Sequence, residues 1–97
     1  MQAYIVLGTF TQQGMSHIKQ LAQLRQAAEQ WAGSHQGRVI ANYTTLGPYD
    51  FVFIAELPSP DVALEGAFTF GSQGEVRTQT LLGFTADEAE AIAQRLP

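Results

Sequence analysis

The stretch Arg38 to Leu57, RVIANYTTLGPYDFVFIAEL, reads as two strands joined by a tight Gly-Pro turn. Its first half, Arg38 to Thr45, sets Val39, Ala41 and Tyr43 on one side and Arg38, Ile40, Asn42 and Thr44 on the other, the pattern of a half-exposed edge strand. Gly47 and Pro48 break the run, because Pro48 fixes φ and cannot donate to a ladder, while Gly47 tolerates positive φ. The second half, Asp50 to Leu57, is apolar on both faces: Phe51, Phe53, Ala55 and Leu57 on one, Val52 and Ile54 on the other. A strand of that kind is interior to its sheet and covered twice.

Outward from this hairpin the chain is symmetric. Ala3 to Phe10 is a second strand apolar on both faces, with Tyr4, Val6, Gly8 and Phe10 opposed to Ala3, Ile5, Leu7 and Thr9. Thr11 or Ser16 can cap a helix running to about Ser34, in which Ile18, Leu21, Leu24, Ala28 and Trp31 recur at helical steps, and Gly33 and Gly37 are both plausible stops. Trp31 at such spacing is a packing residue.

Downstream, Ser59 is a good N-cap, Pro60 suits the first helical position and Asp61 complements the dipole. The spacing predicts a helix to about Phe70 with Ala63, Leu64, Ala67 and Phe68 inward, short or closely packed at Gly66. Gly71 and Gly74 turn the chain into a fourth strand, Glu75 to Phe84, and the capping box Thr85-Ala86-Asp87-Glu88 starts a C-terminal helix carrying Ala89, Ile92, Ala93 and Leu96.

Strand, helix, strand, strand, helix, strand with right-handed crossovers gives an α+β, ferredoxin-like βαββαβ sandwich with an extra C-terminal helix, strand order 4-1-3-2 and both main helices on one face. Its 97 residues form a single domain spanning 1–97. The other sheet face, roughly 400 Å² at ~4.8 Å strand spacing, is too large an apolar patch to stay wet. A second copy of the chain is the expected cover, and the C-terminal helix folded across the face is the rival.

Composition narrows the partners. The chain is 45% hydrophobic but 14% charged, against ~25% in ordinary globular proteins, which favours a partner surface. Lys19, Arg25 and Arg38 against Glu29 give the first 49 residues +2, leaving −6 of the net −4 beyond them. Five dispersed basic residues release few counterions, so nucleic acid is not an expected partner. The N-terminal apolar run is too short for a membrane span or a signal sequence, and no membrane association is expected. The absence of cysteine excludes disulfides and thiolate chemistry and fits cytoplasmic residence.

No residues stand out as catalytic. His17 and His35 have no metal-ligand spacing and read as solvated; no metal and no cofactor are expected. Tyr43, Thr44, Thr45, Tyr49 and Asp50 gather two phenols, two hydroxyls and a carboxylate at one hairpin end. Such a set suits a small polar ligand, whereas Asp50 equally suits capping the turn through backbone N–H groups. Arg77 on the fourth strand can anchor an anion or pair with Asp50 or Glu75. The ligand-binding candidates are therefore Tyr43, Thr45, Tyr49, Asp50 and Arg77.

YIVLGTFTQQG (4–14), TLGPYDFV (45–52) and GEVRTQTLLGFT (74–85) together resemble the GYD-domain family of small bacterial and archaeal proteins, with Gly47, Tyr49 and Asp50 on the name-giving positions. The resemblance covers nearly the whole chain. It implies a ferredoxin-like fold with a dimeric α/β-barrel type of assembly and no established activity. Two function classes follow. One is a non-catalytic small-ligand-binding or protein-interaction module acting as a homo-oligomer. The other is an enzyme resembling cofactor-independent monooxygenases or isomerases of that barrel type, which needs a titratable group inside a pocket.

Overall fold

The computed structural model describes residues 1–97. Four strands, β1 (Gln2–Phe10), β2 (Arg38–Thr44), β3 (Phe51–Leu57) and β4 (Val76–Gly83), form one antiparallel sheet in the order β2-β3-β1-β4. Four helices are interleaved: α1 (Gln12–Ser16), α2 (Leu21–Ser34), α3 (Pro60–Ser72) and α4 (Ala86–Ala93). This is the expected ferredoxin-like α+β sandwich, with β1 and β3 interior as their two-sided apolarity requires. The core joins Tyr4, Ala55 and Leu57 of the sheet to Ala32 and Ala63 of α2 and α3, with Trp31, Val39, Phe53 and Val62 packed around them.

The first helix is broken where the sequence reads it as continuous. Thr11 is the cap: its Oγ1 accepts from the Gly14 N–H at 3.1 Å and donates to the Gly74 carbonyl at 2.6 Å. Gly14 sits so close to the Glu75 carbonyl that any Cβ would overlap it, which fixes α1 against the start of β4. The chain then passes through a 3-10 turn, Ile18–Gln20, before α2 runs back along the sheet. Ile18 lies in that turn and is exposed, contrary to the inward position its spacing predicts.

In α3 the inward face is also rotated. Ala63 and Gly66 are buried and Ala67 and Phe70 half-buried, whereas Leu64 (53% exposed) and Phe68 (67%) face outward. The cause is Gly66: a Cβ there would stand 2.8 Å from Trp31 Cη2, so α3 approaches α2 through its smallest residue and carries Leu64 and Phe68 away from the sheet. Ser59 stands at the N-cap with Pro60 following, but its hydroxyl makes no capping bond. Asp61 occupies the first turn, and the Ser59 hydroxyl beside it holds its carboxyl below the ordinary value.

Strand β2 departs from simple alternation. Val39 pairs with Ala55 and Ala41 with Ile54, so Ile40 is an extra residue, a β-bulge. One inserted residue flips every later side chain. Asn42 and Thr44, paired with Phe53 and Phe51, therefore face the helices, and Ala41 and Tyr43 face away, reversing their predicted relation to Val39. The connection to β3 is also wider than a tight turn. It spans residues 45–50, with Gly47 at φ 113° and the ends closed by a Thr45 N–H to Asp50 carbonyl bond of 2.8 Å.

Helix α4 has its capping box: the Glu88 N–H reaches Thr85 Oγ1 at 3.1 Å, and Glu88 Oε1 accepts from the Thr85 N–H at 2.8 Å. Those bonds hold the Glu88 carboxyl below its usual range. Yet every residue from Phe84 to Pro97 is exposed. The helix does not fold across the sheet, and the molecule measures 53 × 31 × 19 Å. Its radius of gyration is 14.7 Å, against about 12.5 Å expected for a compact chain of this length.

Candidate functional site

Cross-strand register defines the sheet face opposite α2 and α3 row by row. Ala41, Ile54, Ile5 and Leu81 form one row, and Tyr43, Val52, Leu7 and Gln79 the next. At one end Arg38 Nε meets Glu56 Oε1 at 2.8 Å. At the other, Tyr49 reaches across β1 to donate its O–H to Gln79 Oε1 at 3.0 Å, and Arg77 stands opposite Thr9. The face thus has an apolar centre closed at both ends by polar groups, the anatomy of a protein interface.

Three of the five expected ligand-binding residues, Tyr43, Tyr49 and Arg77, gather at this polar end. Tyr43 is 65% exposed. Arg77 pairs with neither of its expected carboxylates: Glu75 lies 2.7 Å from His17 Nδ1, and Asp50 Oδ2 accepts from the Phe10 N–H at 2.8 Å. Thr45 and Asp50 are tied into the loop instead. The Thr45 hydroxyl donates to the Tyr49 carbonyl at 2.7 Å, and the Asp50 N–H donates to the Gly8 carbonyl at 2.8 Å. Asp50 therefore joins the start of β3 to the end of β1 through side chain and backbone together.

Neither histidine is simply solvated. His17 holds Glu75 across the α1–β4 junction, and His35 stacks on Trp31 with centroids 4.0 Å apart while its Nδ1 lies 2.8 Å from the Trp31 carbonyl. The i,i+4 spacing of Trp31 and His35 was a readable signal for the second contact. No three His, Asp or Glu side chains come together as a metal site.

Between the sheet and helices α2 and α3 lies a cavity of about 390 Å³, and 18 of its 24 lining residues are hydrophobic. The cavity opens to solvent, with Arg25, Asn42, Thr44 and Thr80 of its lining exposed. Its polar side chains are Arg25, Asn42, Thr44, Thr78 and Thr80, besides the Tyr4 phenol in its wall. Tyr4 is 3% exposed, and its hydroxyl is buried without a hydrogen-bond partner. Burial pushes that phenol's pKa up, and the Asp61 carboxylate acts in the same direction. Sequence reasoning missed Asn42, Thr78 and Thr80 as a set because the bulge hides the face that Asn42 occupies.

Across 82 residues the chain is 32% identical to a protein of Thermus thermophilus named glutamine synthetase and cystathionine beta-lyase binding protein, an alignment covering 84% of this chain and 86% of that one. No helix is long and apolar enough to cross a membrane. The family model of the GYD domain matches residues 4–93, nearly the entire fold described above. This chain belongs to the GYD-domain family.

Proposed function

We propose that this protein is a non-catalytic interaction module that works as a homo-oligomer, with two copies closing their open sheet faces against each other. The observation that carries the reading is surface. The accessible area is 6643 Å², whereas a compact monomer of this mass exposes about 5,500 Å². An excess of about 1,200 Å² per chain is about 2,400 Å² for a pair, within the range that obligate homodimer interfaces remove. Tyr43, Leu81, Phe84, Ile92 and Leu96 are among the exposed large apolar side chains, on the open face and along the α4 region. In this reading Tyr43, Tyr49 and Arg77 meet a partner chain or a polar ligand at the rim, while Thr45 and Asp50 shape the loop that presents them.

The name of the Thermus relative supports protein partners, and enzymes of the kinds it names are the first to try. The cavity lining holds no His, Asp or Glu, and its one group able to move a proton is the Tyr4 phenol, whose pKa burial pushes up and which therefore stays protonated near neutral pH.

Light scattering at micromolar concentration is the test, with a mass of at least twice 10.6 kDa expected. Ile54→Lys, at the centre of the face, should yield a folded monomer. A wild type that stays at 10.6 kDa overturns the self-association half. The partner half is tested with purified glutamine synthetase and cystathionine beta-lyase, and no saturable binding to either removes the support drawn from the relative.

A further inference from the structure

The cavity is a slot. Its floor is the helix-facing side of the sheet, where Val6 and Phe53 lie beside Phe51, whose ring covers Gly8 so closely that no Cβ would fit there. Its roof is α2 and α3, through Ala28 and Trp31 on one and Ala67 and Phe70 on the other. Phe51 and Phe53 are stacked, with centroids 6.2 Å apart and planes at 10°, and Phe70 meets Trp31 edge-on. A flat ring system can touch both layers of such a slot at once.

Register also fixes where the polar groups stand. Asn42, Phe53, Val6 and Thr80 form one row across the sheet, and Thr44, Phe51, Gly8 and Thr78 the next. Each row has an apolar middle and a polar residue at either end, on the edge strands β2 and β4, three strand spacings or roughly 14 Å apart. None of these four edge side chains makes a hydrogen bond within the protein. All four can donate and accept. The single charged group of the lining, Arg25, is 59% exposed and stands 3.5 Å from the similarly exposed Glu29, so its charge lies in solvent and not inside the slot.

We propose that this slot is a binding site for an uncharged, fused-ring aromatic molecule carrying a hydroxyl or carbonyl group at each end, held flat between sheet and helices and bonded at its ends by Asn42 or Thr44 and by Thr78 or Thr80. The apolar middle excludes sugars and other polar ligands, and it holds no buried charge to offset the desolvation of an organic anion or cation. The inference takes up the small-ligand side of the function above and does not depend on self-association.

Trp31, the one tryptophan of the chain, lines the slot and reports its occupancy by fluorescence. The probes are 2,6-dihydroxynaphthalene, naphthalene and naphthalene-2,6-disulfonate. The dihydroxy compound should bind saturably, one per chain, at least tenfold more tightly than naphthalene, and the disulfonate should not bind. Ala67→Phe and Ala28→Phe, which fill the slot from opposite helices, should each weaken binding at least tenfold with unchanged circular dichroism. The double change Asn42→Leu with Thr80→Val, at the two exposed ends of one row, should abolish the preference over naphthalene and decides the matter if the filling variants do not fold. Ile54→Lys, which breaks the self-association reading, should leave binding intact. No saturable binding, binding that survives both filling variants, an unchanged preference in the double variant, or loss of binding in a folded Ile54→Lys protein overturns the proposal.

Discussion

Replacing Asp50 by asparagine separates a structural tie from a functional group. Asp50 Oδ2 accepts the Phe10 N–H at 2.8 Å, and it is the one side-chain bond that fastens the start of β3 to the end of β1. A hydrogen bond to a charged acceptor contributes about 1.5–3 kcal/mol and a neutral one about 0.5–1.5. Asp50→Asn keeps an acceptor of nearly the same shape, so it should cost about 1 kcal/mol, and Asp50→Ala, which removes the acceptor, about 2 kcal/mol. At ~2.1 cal/mol/K per residue, the unfolding entropy of this chain is about 0.2 kcal/mol/K, so the midpoints should fall by about 5 and 10 °C. Thermal melts followed by circular dichroism measure both, while probe and partner binding by the folded variants should equal wild type. An Asp50→Asn protein that melts with the wild type and loses binding would refute the structural assignment and make the carboxylate part of a site.

Tyr4→Phe should raise stability by about 1 kcal/mol, because it removes a buried hydroxyl that has no partner. The same residue sets an alkaline limb: with its folded value raised by burial, its contribution is fully present below the ordinary phenol pKa of ~10 and is lost as pH rises through the folded value. Melts between pH 8 and 11 should show that loss in the wild type and a flatter limb in Tyr4→Phe, and a less stable variant would mean the hydroxyl is satisfied. Thr85→Ala removes one arm of the capping box, worth ~1 kcal/mol of helix. Helical signal from α4 should fall without moving the main unfolding midpoint of an isolated monomer, and a shift of several degrees would show that α4 packs on its own domain.

Nearly all of the topology was written in local pattern. Two-sided apolarity placed β1 and β3 inside the sheet, and Thr85 with Glu88 announced α4, because each signal is carried by residues a few positions apart. What could not be read depended on contacts made at long range. Gly66 reads as a weak helix position, and only its meeting with Trp31 explains why Leu64 and Phe68 turn outward. Ile40 looks like one more alternating residue until the register against Ala55 and Ile54 makes it an insertion. The hairpin-end cluster was legible as a list but not as a geometry, since Asp50 spends its carboxylate on Phe10, forty residues away in sequence. The slot was invisible for the same reason, as its polar edges come from β2 and β4, at opposite sides of the sheet.

The bulge at Ile40 also bears on how such a sheet is allowed to grow. Strands β2 and β4 end the sheet with rows of unpaired N–H and C=O groups, the template on which stray strands elongate into fibrils. At β2 the extra residue breaks the even spacing of those groups close after Arg38, whose exposed cation would have to be buried by an incoming strand. Lateral extension is thereby blocked on that side, and a sheet that cannot lengthen sideways in both directions cannot polymerise through its edges. The face-to-face pairing proposed above is the route left open, and such an arrangement ends at two.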